Sequence, residues 1–146
     1  MKIAVGSDHA GYELKEYVKE MLLKEGYEVV DMGTNFMESV DYPDYAKAVC
    51  EKIQSGDAEF GILACGTGIG MSITANKFVG IRAALCLFPE MARLARAHNN
   101  ANVLALGGRL MGKDLAWKTV KIFLETDFEG GRHERRVEKI SKIEER

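Results

Sequence analysis

The residues of this chain best suited to chemistry are Cys65-Gly66-Thr67-Gly68-Ile69-Gly70, where a thiol closes an apolar run, Phe60 to Ala64, and opens a helical pattern carrying Ile69, Ile73 and Ala75. If the run is a buried strand, the glycines form the turn, and several backbone N–H groups there have no intrahelical partner. Those donors and the positive end of the helix dipole favour a thiolate over a thiol and suit an oxyanion or phosphate beside it. The plain alternative is a core cysteine followed by an ordinary strand-to-helix turn. A second group is basic: Arg132 and Arg136 are four apart and share one helical face, placed to grip a phosphate from two sides, while Arg135 points elsewhere. The alternative there is a solvated charged face. His9, directly after Asp8, is a ligand-contact candidate, and Asp8 either binds a ligand or caps the first helix. His98 stands beside Asn99 and Asn100 and either serves a site or is a loop histidine, and His133 reads as a loop histidine.

The elements that must position these groups alternate along the whole chain. Lys2 to Gly6, Glu28 to Met32, Phe60 to Ala64, Ile81 to Cys86 and Asn102 to Leu106 read as five short strands. Between them lie helical patterns: Tyr12 to Lys24 with Leu14, Val18, Met21 and Leu22 on one face and a Glu20–Lys24 pair outside, Tyr45 to Ile53, and Pro89 to Ala97. The second of these turns Ala46, Val49, Cys50 and Ile53 inward, which makes Cys50 core. Leu115, Thr119, Val120, Phe123 and Leu124 mark a further helix, and after Gly130-Gly131 a last charged helix carries Val137, Ile140 and Ile143. Gly33 to Tyr42 is the one longer loop and a candidate site rim.

Strands separated by helices predict an α/β fold: a single-domain, three-layer α/β/α sandwich over residues 1–146, with a five-stranded parallel Rossmann-like sheet and an extra C-terminal helix. All strand-to-helix turns then lie along one edge, where ligands bind. That edge collects Ser7-Asp8-His9, Cys65 to Gly70, Leu87-Phe88 and Gly107-Gly108-Arg109. His98 precedes the fifth strand and belongs to the opposite edge, one strand length or roughly 16 Å away. If His98 serves the Cys65 site, it does so from a partner subunit across a symmetric dimer. Cys86 ends a strand at the ligand edge without a glycine turn and is read as wall.

Several site types fail on spacing. The third glycine of a dinucleotide fingerprint would fall at Met71, Gly6 to Gly11 does not match either, and there is no Walker lysine pattern. Met71 also occupies the place of a cysteine phosphatase's arginine, and Ala10 that of an aspartyl-phosphate phosphatase's second aspartate. No cofactor is expected. With 20 basic and 22 acidic residues, net charge −2, nothing general points to nucleic acid or an anionic membrane. Three cysteines without close spacing fit free thiols in a reducing compartment rather than disulfides or zinc, and a short apolar start followed by Gly6-Ser7-Asp8 is no signal peptide, so a cytoplasmic protein is expected.

Gly6-x-Asp8-His9-Ala10-Gly11, Asp41-Tyr42-Pro43, Cys65 to Gly70, Ala75-Asn76-Lys77, Gly80-Ile81-Arg82-Ala83, His98-Asn99-x-x-Asn102-Val103-Leu104 and Gly130-Gly131-Arg132-His133-x-x-Arg136 together resemble the ribose-5-phosphate isomerase type B family across essentially the whole chain. Related isomerases of allose 6-phosphate and galactose 6-phosphate share the pattern. The resemblance implies interconversion of ribose 5-phosphate and ribulose 5-phosphate in the pentose phosphate pathway without metal or organic cofactor. Cys65 would carry the proton between C2 and C1 through a cis-enediolate. Thr67 would orient or shuttle protons, and the backbone N–H groups of Gly66, Gly68, Ile69 and Gly70 would steady the oxyanion. His98 would open the furanose ring, and Asp8 and Asn99 would bind hydroxyls. His9, Arg109, Arg132 and Arg136 would hold the phosphate, with Tyr42 also at the substrate. One branch of the family uses a glutamate base where this chain has Met71, so the resemblance is to the cysteine branch. With His98 at the opposite edge, the expected assembly is a homodimer with the site shared between subunits, and a homotetramer stays open. The alternatives are a six-carbon phosphosugar isomerase and a non-catalytic sugar-phosphate binding module.

Overall fold

In the computed structural model, which describes residues 1–145, strands and helices alternate as β1 (Lys2–Ser7), α1 (Tyr12–Lys24), β2 (Glu28–Asp31), α2 (Tyr42–Gln54), β3 (Phe60–Cys65), α3 (Ile69–Ala75), β4 (Ala83–Leu85), α4 (Pro89–Asn99), β5 (Val103–Gly107), α5 (Lys113–Glu125) and α6 (Arg132–Ile143). The five strands form one parallel sheet in the order β2-β1-β3-β5-β4. Helices α1, α4 and α5 cover one face through Leu14, Val18, Leu22, Ala92, Ala95 and Phe123. Helices α2 and α3 cover the other through Ala46, Val49, Cys50, Met71 and Ala75. Covered on both sides, β1, β3 and β5 are near-continuous apolar runs, as parallel strands must be. Leu14, Val18 and Leu22 recur every four residues on α1, and burying each stabilises the fold by about 1.5–3 kcal/mol. The expected Glu20–Lys24 pair stands on the exposed side of this helix at 3.4 Å. Among the described residues no helix is long and apolar enough to cross a membrane.

Two local expectations are corrected, and the burial of single side chains orients two further helices. The strand expected over Ile81 to Cys86 contracts to Ala83–Leu85, because β4 is an edge strand paired only with β5. The Ile81 N–H turns back to Phe78 O and the Arg82 N–H donates to Asn102 Oδ1, so neither joins the ladder. Helix α2 begins at Tyr42 rather than Tyr45, since Pro43 fits a first helical turn and Asp41 is the extended residue before it. On α3 the buried residues are Met71 and Ala75, whereas Ile69 and Ile73 are exposed. Finally, α6 packs on α4 and buries only His133 and Val137, leaving Ile140 and Ile143 in the open.

Candidate active site

The order of the strands selects the place. From β1 the chain crosses to β2 on one side, yet β3 lies on the other, so the C-terminal ends of β1 and β3 flank the point where strand order reverses. Asp8 and His9 leave one of these ends and Cys65 the other. Gly11 lets them meet: a β-carbon there would stand 2.2 Å from Ala64 O and 2.8 Å from Cys65 N. Asp8 is buried, and its Oδ1 accepts the Gly11 N–H at 3.0 Å. It thus holds the turn ahead of α1 rather than capping the helix itself. His9, half-buried, accepts the Val40 N–H at Nδ1, 3.2 Å away.

Cys65 is buried at the end of β3, and its Sγ accepts the Gly68 N–H at 3.1 Å. Gly68 makes this bond with φ +81°, a left-handed conformation that a side chain resists. The exposed Thr67 accepts the Ile69 N–H at Oγ1, 3.2 Å away. From β5, the Gly108 N–H donates to Cys65 O at 2.7 Å and the Arg109 N–H to Gly66 O at 2.9 Å. The Arg109 side chain lies over Gly66, and the Tyr42 ring lies so close over Gly70 that a β-carbon there would stand 2.5 Å from Cε1. Asp8, His9, Tyr42, Gly66, Thr67, Gly68, Ile69, Gly70 and Arg109 are therefore gathered around Cys65 at one edge. Burial pushes the thiol of Cys50 up to about 12 and that of Cys86 up to about 11.

His98, Asn99, Arg132 and Arg136 are elsewhere. His98 and Asn99 form the last turn of α4, which leads into β5 at Val103, the residue paired with Gly61 at the start of β3; Cys65 pairs with Gly107 at the far end. His133 corrects the loop reading. It is buried in the first turn of α6 and its ring stacks on His98 with centroids 4.2 Å apart and planes 10° from parallel. Glu129 Oε1 stands 3.7 Å from His98 Nε2 and 3.6 Å from His133 Nε2. Desolvation, then the charges of His98, Arg132 and Arg136, hold His133 below its ordinary value, with Glu129 opposing them. His98, Glu129 and His133 have ligand atoms all within 4.8 Å of one another and are the group among the described residues with the donors to hold a metal. A cavity of about 690 Å³ lies near this second cluster, between Asn99, Ala101, Val79 and the exposed Ile140 and Ile143. One chain thus carries two clusters parted by the length of β5.

Sequence reasoning missed two features. Lys15, buried on α1, pairs with Asp31 at 2.9 Å and bonds Thr34 O; its only signal was a lysine wedged between Leu14 and Val18 on the apolar stripe. Glu129 and His133 were hidden because nothing local says that α6 starts against the end of α4.

A doubly wound α/β protein with a cysteine, an acid, a histidine and a glycine-rich turn at its switch point is built to act on a small polar molecule. Residues 3–140 match the model of the Ribose/Galactose Isomerase family. The chain is 50% identical over 145 residues to ribose-5-phosphate isomerase B of Escherichia coli (strain K12), covering 99% of this chain and 97% of that one. The crystal structure of a ribose 5-phosphate isomerase from Thermotoga maritima superposes with TM-score 0.95 at 65% identity, over 97% of both chains. That of ribose-5-phosphate isomerase B from Mycoplasma genitalium with bound ribulose-5-phosphate gives TM-score 0.95 at 44% identity, over 99% of this chain and 96% of that one. The chain belongs to the ribose/galactose isomerase family, and it is an isomerase.

Proposed function

We propose that this protein interconverts ribose 5-phosphate and ribulose 5-phosphate, with Cys65 as the group that moves the proton between C2 and C1. The observation that carries the reading is the sulfur itself: it ends β3 at the switch point and receives the Gly68 N–H, a donor that interacts more strongly with a thiolate than with a thiol. The remaining turn N–H groups suit the oxygen of a cis-enediolate, and a donor of that kind is worth about 10²- to 10³-fold in rate. Thr67, exposed beside the sulfur, relays or orients protons. Asp8 binds a substrate hydroxyl from its buried position, Tyr42 walls the site, and His9 and Arg109 bind the phosphate. The relatives' names support the pentose phosphate as substrate.

His98 opens the sugar ring, Asn99 binds a hydroxyl, and Arg132 and Arg136 hold the phosphate from a second subunit. What supports this is the separation: His98 and Asn99 lie a strand length from Cys65 in their own chain, roughly 16 Å, and α6, which carries Arg132 and Arg136, packs on the same helix as His98. The exposed apolar side chains Ile69, Ile73, Val79, Ile140 and Ile143 are the surface that such a pairing buries. Turnover measured side by side on ribose 5-phosphate, allose 6-phosphate and galactose 6-phosphate tests the assignment. Preference for a six-carbon sugar overturns the substrate, and no turnover on any of the three overturns the reaction.

A further inference from the structure

A lysine whose side chain is 1% exposed is costly to bury unless its charge is fully met. Lys15 Nζ donates to Asp31 Oδ1 at 2.9 Å, to Asp31 Oδ2 at 3.2 Å and to Thr34 O at 2.5 Å. Asp31 also accepts the Gly33 N–H at 2.9 Å and Lys19 Nζ at 3.0 Å. These bonds fasten residues 31–34, and the backbone sews the same residues to the end of β1: the Ser7 N–H donates to Gly33 O at 2.7 Å and the Thr34 N–H to Ser7 O at 2.8 Å. From Thr34 the chain swings out through exposed residues and returns at Val40, whose N–H reaches His9 Nδ1. Both ends of the 33–40 loop therefore converge on the Asp8-His9 turn.

A ring nitrogen that accepts a backbone N–H carries no proton of its own, so in the neutral imidazole the proton sits on Nε2. We propose that the buried Lys15–Asp31 pair, acting through the 33–40 loop and the Val40 N–H, is a positioning device that fixes His9 as the Nε2–H tautomer and presents that N–H as a donor to a phosphate oxygen of the substrate. The inference rests on the reading that this edge binds a phosphosugar. Lys15, Asp31 and Val40 are positioning residues and touch no substrate.

The test is ring-nitrogen NMR on protein carrying 15N-histidine, of which there are three, at pH 9, with the His9 signals identified by their loss in His9→Gln. Unaltered protein should show His9 protonated at Nε2 and bare at Nδ1. Val40→Pro, which deletes the donor at a loop position, and Lys15→Met should each bring in the Nδ1–H form. Both should raise KM for ribose 5-phosphate about 10-fold and leave kcat within about 2-fold. An Nδ1–H ring in unaltered protein overturns the inference, as does a tautomer change that leaves KM where it was. If Lys15→Met does not fold, Val40→Pro carries the test alone. The ring spectrum needs no turnover, so it stands or falls separately from the isomerase reading.

Discussion

Mixing two inactive variants gives the sharpest test of the shared site. Cys65→Ala removes the sulfur at one end of the β3–β5 pair, and His98→Ala removes the imidazole beyond the other end, roughly 16 Å away. Each homodimer is expected to be dead. After random re-association of equal amounts, about half of the dimers contain one chain of each kind. In these, one site combines both lesions and the other combines the intact sulfur of one chain with the intact imidazole of its partner. About one site in four is then whole, so the mixture should recover about a quarter of the turnover of the unaltered enzyme. The assay is aldose-to-ketose conversion of ribose 5-phosphate before and after subunit exchange, with exchange followed by native mass spectrometry. Confirmed exchange with no recovery would falsify the trans arrangement, because a site built within one chain is dead in every combination.

Further predictions concern the turn, the thiols and acid stability. Gly68→Ala places a β-carbon 2.5 Å from Leu85 Cδ1 and 3.0 Å from the Leu106 backbone, at a φ of +81°. Loss of a charge-assisted bond to sulfur, about 1.5–3 kcal/mol, should lower kcat about 10- to 100-fold, and an unchanged kcat would show that the Gly68 N–H is catalytically idle. Iodoacetamide at pH 8 should modify Cys65 before Cys50 and Cys86, which burial holds at about 12 and about 11, and peptide mapping should show turnover lost in step with that one adduct. For Asp31, burial raises the carboxyl, but the Gly33 N–H, Lys15 and Lys19 outweigh it and hold it below its ordinary value. Its contribution to stability is therefore full above pH about 4 and is lost as pH falls through the lower folded value. His133 is held below its ordinary value as well, so the unfolded chain takes up its proton first and stability declines as pH drops below about 6.5. Urea midpoints between pH 3 and 8 should lose the lower limb in Asp31→Asn and the upper limb in His133→Gln; slopes unchanged in either variant would contradict the assignment.

The sheet was legible from residue types because β1, β3 and β5 are buried on both faces, and such strands stand out as unbroken apolar runs. The Cys65 turn was legible for a related reason: glycines at Gly66, Gly68 and Gly70 leave room for Arg109, Leu85 and Tyr42 to approach, and that crowding shows up as composition. What escaped was decided by distant parts of the chain. Edge strand β4 is shortened by bonds from Phe78 and Asn102, α6 is seated by a histidine stack with α4, and Lys15 is inside because Asp31 and Thr34 O meet it there. None of these partners is within hydrophobic periodicity's reach.

The placement of the sulfur and the imidazole at opposite ends of neighbouring strands has a consequence for the life of the molecule. On the shared-site reading, a freshly synthesised chain holds all the chemical groups it will ever need and yet is inert. It begins to work only on meeting another copy, so activity should vanish on dilution while the fold of each chain survives.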